Sequence, residues 1–261
     1  MSTSPPLRSI ALPVEHGGWG LTLEPVLLGL LVAPSGAGVL LGIAALTLFL
    51  AYRPVRLLLA DLRRSRHIDR TRLAALVAAG YLLAAAAALG GAASVAGAPF
   101  WRALAAPVPL IGVQFWFDAR NRTRALAREV SGSLAPGGFA AAIALADGWT
   151  IGPALGLWLV LAARAAASVM LVRTQIKRTR SASYRTGPLV ATHISATAAV
   201  AAAAGAGVVP WSAVAAVALL GVWAVNALRT PPVRAVVVGF TQMGVGVLVV
   251  VLTALGHHVG W

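Results

Sequence analysis

The side chains able to do chemistry are few, and most lie where polar groups are expensive. Glu15 and His16 stand directly before Gly17-Gly18-Trp19-Gly20, and Glu24 follows inside the apolar run that these residues open. A carboxylate beside an imidazole has the composition of a proton-transfer or anion-contacting group at a cavity mouth. A plainer arrangement is also open, with Glu15 stabilising a helix N-terminus and the glycines admitting a neighbouring helix. Glu24 lies about 10 Å into its segment at 1.5 Å per residue. A charge there costs on the order of 2.5 to 3.5 kcal/mol unless it is paired or hydrated. Arg164 mirrors it: nine residues before Arg173, it sits roughly 13 Å inside its own segment. A Glu24 to Arg164 pair, or a cavity shared by the two, answers both costs. His193 and Gln242, also inside apolar segments, read as hydrogen-bonding groups between helices.

Phosphate chemistry would fall to arginine. Arg120, Arg124 and Arg128 recur at a spacing of four, which on a helix is one face, with Asp118 and Arg122 on the adjacent one and Asn121 between. Facing lipid, such a ridge attracts anionic headgroups at about 1 kcal/mol per cation. Facing a cavity, with Arg53, Arg56 and Arg178 contributed from other segments, it would grip phosphate through bidentate hydrogen bonds. Mg²⁺ needs carboxylates, and the basic loops offer for it only Asp61, Asp69, Asp118 and Glu129 beside Glu15, a set that supports metal catalysis poorly. With no cysteine in the chain, thiolate nucleophiles, disulfides and Cys-ligated metals are excluded. No H-E-x-x-H, Walker A or G-x-G-x-x-G pattern occurs.

The elements that must position these groups are membrane helices. Hydrophobic residues make up 59% of the chain and charged ones 11%, against about 25% charged in soluble domains. The expected fold is an all-α polytopic integral membrane helical bundle, one domain over 1–261. Nine apolar runs are long enough to span a bilayer: 17–33, 36–52, 73–92, 102–118, 131–147, 152–172, 187–207, 210–228 and 233–255. Residues 1–16 form an N-terminal segment without the pattern of a cleaved signal peptide. The net charge of +14 is therefore read against the lipid bilayer and not against nucleic acid.

The loops alternate. Those after the second, fourth, sixth and eighth runs carry nearly all the cations, while those after the first, fifth and seventh are short and almost uncharged. The positive-inside rule then places the N-terminus in the cytoplasm and the C-terminus outside. Trp101, Trp149, Trp211 and Trp261 fall near the expected outer ends, where interfacial aromatics gather. His257-His258 reads as a tail feature.

Three stretches carry a resemblance: the N-terminal pattern formed by Pro13, Glu15, His16, Gly17, Trp19, Gly20, Glu24 and Pro25; the loop ADLRRSRHIDR; and the loop FDARNRTRALAREVSG. On these the chain resembles the YwiC-like family of bacterial integral membrane proteins, a family without an established activity. More remotely it is similar to the UbiA superfamily of intramembrane prenyltransferases, which hold a prenyl diphosphate through Mg²⁺ on two aspartate-rich loops. That resemblance implies a bacterial inner-membrane protein with polar loops after the second, fourth and sixth spans. Ala60 to Arg70 resembles the first aspartate-rich motif, with Asp61 and Asp69 retained, whereas the loop RTQIKRTRSASYRTG has no acidic residue.

Together these readings lead to a cytoplasm-facing polar cavity for an anionic amphiphile, with an isoprenoid or lipid phosphate as the ligand. An enzyme would use Arg53, Arg120, Arg124 and Arg178 on phosphate and Glu24, His16 or Asp61 for protons or a metal ion. A proton-coupled transporter or a non-catalytic scaffold would use the same groups differently.

Overall fold

A computed structural model describes residues 7–12, 16–63, 69–120, 122 and 124–260, and every regular element among them is helical. A short α1 (Leu7–Ala11) precedes α2 (His16–Val32), whose apolar character all round its circumference suits burial among other helices. Pro34 ends α2, because the residue before a proline is steered out of helical geometry. Ser35 then caps α3 (Gly36–Arg63): its Oγ accepts the Gly38 amide at 3.1 Å. With 28 residues, α3 is about 42 Å long and outruns a hydrocarbon core of about 30 Å. Its last turns therefore carry Arg53, Arg56 and Arg63 beyond the apolar layer as a continuous helix.

The partner of α3 is α4 (Asp69–Val95), which starts on an acidic first-turn residue and packs along it more extensively than any other helix pair. The expected span 102–118 is not one helix. It divides into α5 (Trp101–Ala105) and α6 (Val108–Ala119), broken at Ala106-Pro107. Pro107 and Pro109 have no N–H to continue the first ladder, and each is tolerated at the start of the second.

Next come α7 (Leu126–Leu134), a 3₁₀ turn at Ala135–Gly137 and α8 (Gly138–Ala146). Pro136 forces that tightening, and the Leu134 carbonyl accepts the Trp158 indole N–H at 2.9 Å. All of α8 except Phe139 is buried, and Ile143 fits a notch made by Gly29 of α2 and Gly38 of α3. The remaining helices are α9 (Ile151–Thr179), α10 (Gly187–Gly205), α11 (Trp211–Arg229) and α12 (Ala235–Val259). Tight turns at Gly148 (φ 92°) and Gly207 (φ 69°) join α8 to α9 and α10 to α11.

Among the described residues, seven helical segments are long and apolar enough to cross a membrane: α3, α4, the α7–α8 run, α9, α10, α11 and α12. Two shorter segments also run from one end of the fold to the other. At its start the Trp19 ring of α2 lies 5.1 Å from that of Phe49 in α3, one turn before Arg53, whose Nη1 donates to the Leu12 carbonyl at 2.8 Å. At its finish, the Leu31 carbonyl lies 2.8 Å from His258 Nε2 at the far end of α12. The α5–α6 segment leaves from Gly97, which donates to the Ala146 carbonyl at 3.0 Å, and reaches Ala119, whose carbonyl accepts Arg63 Nη1 at 3.1 Å. The uncharged end thus gathers Trp149 and His257, with ring centroids 4.4 Å apart. Both histidines lie in the last turn of α12 and are exposed. Large apolar side chains such as Leu76, Leu83, Ile194 and Phe240 are exposed on the outer faces, as lipid contact requires.

Candidate functional site

Three helices meet around one ion pair. Glu24 of α2 and Arg164 of α9 are 2% and 3% exposed, and Arg164 Nη2 lies 2.7 Å from Glu24 Oε1. The same Nη2 donates to the backbone carbonyl of Gln242 in α12 at 2.6 Å. Small residues permit the approach. A Cβ on Gly246 would overlap both Glu24 Oε1 and Arg164 Nη2, and one on Gly20 would come within 3.2 Å of Glu24 Oε1. The pair anticipated from depth alone is therefore present, held where helix backbones come close.

Its hydrogen bonding is incomplete. Glu24 Oε1, Arg164 Nε and Gln242 Nε2 are buried without a hydrogen-bond partner among the described residues. The contact neutralises charge but does not saturate the donors and acceptors, which is costly in an apolar interior. Gln242 contributes its backbone carbonyl to the pair, while its side-chain Nε2 has no hydrogen-bond partner among the described residues.

At the basic end, a second constellation closes on itself. Tyr52 of α3 donates to Asp118 Oδ2 at 2.6 Å, Arg128 Nε donates to Asp118 Oδ1 at 2.9 Å, and Arg128 Nη2 donates to the Tyr52 oxygen at 2.6 Å. This triangle ties α3, α6 and α7. Sequence reasoning missed Tyr52, because a single tyrosine within a helix has no local signal; its partner is 66 residues away.

The arginine ridge on one helix face does not form. Since α6 stops at Ala119 and α7 starts at Leu126, Arg120 and Arg124 belong to the connection and Arg128 to the next helix. Like charges at i, i+4 repel, which disfavours a helix carrying all three. Arg120 lies over the Trp116 ring, 3.7 Å from its centroid. Arg124 is exposed, while its backbone carbonyl accepts Arg173 Nη1 at 3.1 Å. Arg173 also pairs with Glu129 at 2.6 Å.

Other expected anion ligands are engaged elsewhere. Arg53 serves the Leu12 carbonyl. Arg178 donates to the carbonyls of Ala227 at 2.9 Å and Thr230 at 2.7 Å, capping the C-terminal end of α11. Half-buried Arg56 makes no ion pair or hydrogen bond among the described residues. Glu15, Asn121 and the His16 side chain lie outside the described residues.

Asp61 is buried at the α3–α4 corner. It pairs with Arg70 and accepts the Thr71 hydroxyl at 3.0 Å. Asp69 is exposed at the start of α4. A carboxylate with both oxygens turned to a guanidinium does not fit a Mg²⁺ ligand. No group of three or more His, Asp or Glu close enough to hold a metal ion occurs among the described residues.

A family model described as YwiC-like protein matches residues 12–144, just over half of the chain. The chain belongs to the YwiC-like family. No curated protein and no solved structure matches it. In YwiC-like terms the matched part runs from α2 through most of α8 and holds Glu24, Asp61 and the Tyr52–Asp118–Arg128 triangle. Arg164 and Gln242 come from beyond it.

Proposed function

We propose that this YwiC-like protein binds an anionic amphiphile, an isoprenoid or lipid phosphate, from the cytoplasmic side of a bacterial inner membrane. It would do so as one domain crossing nine times, with its N-terminus inside. The observation that carries the reading is the Glu24–Arg164 pair: opposite charges inside the helices, with buried polar atoms still lacking hydrogen bonds. Ionisable groups within membrane helices characteristically mark ligand or ion pathways. Of the arginines expected to hold phosphate, Arg120 and Arg124 are exposed and Arg56 half-buried at the basic end, so these three, and not Arg53 or Arg178, remain to meet it.

As an enzyme of divergent prenyltransferase type, the protein would hold phosphate on those arginines and use Glu24 as the proton-handling group. Proton-coupled translocation is the second reading, favoured by the break between α5 and α6 within one traverse. Native mass spectrometry of the purified chain, with and without Mg²⁺, tests the common core. A phosphorylated lipid should co-purify independently of metal, and it should be lost in Arg120→Gln/Arg124→Gln and in a folded Glu24→Gln variant. Bulk phospholipid alone, indifferent to those substitutions, would overturn the specific-anion reading.

A further inference from the structure

Away from the buried pair, α10 and α11 diverge around an open hollow of about 670 Å³. Its walls are apolar along most of their length, including Ile194, Ala198, Val222 and Val225, and its basic end is closed by Asn226 and Arg229. Partway along, His193 lines it. That imidazole is 8% exposed, and neither Nδ1 nor Nε2 has a hydrogen-bond partner among the described residues. Gly221, opposite, leaves room: an added Cβ would meet His193 Nδ1 only at 3.7 Å.

The sequence of features along the groove is that of an amphiphile. A cation and an amide stand at the interface, a buried imidazole follows two turns deeper, and beyond it the wall is apolar except for Thr197. From Arg229 to Gly221 is about 12 Å at 1.5 Å per residue, a distance that an arginine side chain and a glycerol backbone together cover. With its proton on the ring nitrogen that faces the groove, His193 would donate to an oxygen that has left the headgroup region, and an acyl ester carbonyl is such an oxygen. A second copy of this chain fits less well, since its own end at this level is also basic and would bring no anion to Arg229.

We propose that the α10–α11 groove is a site for one anionic glycerophospholipid, its phosphate on Arg229 and Asn226, an ester carbonyl on His193, and its acyl chain along α11. The site is separate from the Glu24–Arg164 pair and does not depend on the function assigned to that pair.

Native mass spectrometry of the full chain in lipid-free detergent, titrated with dioleoyl phosphatidylglycerol and with its diether analogue, tests this. The wild type should bind the diester roughly fivefold more tightly than the diether, the size of one net hydrogen bond. His193→Phe should abolish that preference and His193→Gln, which keeps a donor, should retain it. Arg229→Gln should weaken diester binding roughly tenfold, as loss of a charge-assisted bond does. Equal binding of diester and diether by the wild type would overturn the proposal without any variant having to fold. So would displacement of the lipid by inorganic phosphate alone. A dimer lost in Val222→Trp with lipid binding intact would assign the groove to a second copy instead.

Discussion

At Glu24 and Arg164, two charges that would be prohibitive singly are made tolerable by geometry rather than by solvent. Removing one partner of a buried pair typically costs ~3–5 kcal/mol, so single substitutions there would mix folding with function. Gly246 gives a cleaner test. Glycine to alanine inside a helix ordinarily gains about 1 kcal/mol, but here the new Cβ would overlap Glu24 Oε1 and Arg164 Nη2, and overpacking costs about 1–3 kcal/mol. The clash should win. Gly246→Ala is expected to lower the Tm of the purified chain, whereas in a Glu24→Ala/Arg164→Ala background, where both overlapping groups are gone, the same change should be neutral or stabilising. Equal effects in both backgrounds would show that Gly246 does not shape the pair. The pairing itself was legible in the sequence, because Glu24 and Arg164 are isolated charges at similar depth in apolar runs. Gln242 and Gly246 were not, because a backbone carbonyl and a missing side chain carry no compositional signal. The Tyr52–Asp118–Arg128 triangle and the Arg70 clamp on Asp61 depend on which helix ends meet, and this removed residues expected to hold phosphate or metal.

At the scale of the helix, hydropathy identified where segments lie better than how they are built. The continuation of α3 past Arg53 followed from helical spacing, but the division of 102–118 at Ala106-Pro107 did not, since two prolines in an otherwise apolar run leave its hydropathy intact. Packing between helices depends on small residues whose roles differ. Gly29 of α2 faces Ile143 so closely that a Cβ would stand 2.8 Å from the Ile143 Cβ, whereas Gly80 of α4 has nothing within 4 Å. Both lie within helices. Gly80→Ala should therefore stabilise by ~0.5–1 kcal/mol through propensity alone. Gly29→Ala should destabilise by about 1–3 kcal/mol by displacing Ile143 from its notch. Thermal unfolding of the two variants in the same detergent reads the sign directly, and a loss of stability in Gly80→Ala would mean that α4 packs against something besides the helices seen here.

For the molecule as a whole, the decisive feature is that the basic loops belong to one surface. Arg63 reaches the end of α6, Arg128 ties α7 to α3 and α6, Arg173 holds the α6–α7 connection, and Arg178 holds the end of α11. The charge alternation read from the loops thus corresponds to a physical end of the bundle. It also constrains the broken segment. Since α4 finishes at the uncharged end and α7 begins at the basic one, residues 96–119 must return across the full height even though neither α5 nor α6 is long enough to do so alone. If that basic surface faces the cytoplasm, the turns at 147–149 and 205–207 face outward. The chain contains no cysteine, so a single introduced thiol reports its own side of the membrane. In intact cells, Ala206→Cys and Asp147→Cys should react with a membrane-impermeant maleimide, while Ser181→Cys and Arg122→Cys should react only after permeabilisation. The pair at 122 and 147 is the most informative, because these positions flank the α7–α8 run immediately after the broken traverse. Labelling of both from outside, or of neither, would mean that the α7–α8 run does not cross. Reversal at all four positions would invert the protein and place the exposed arginines, and with them the proposed phosphate end, on the outer face.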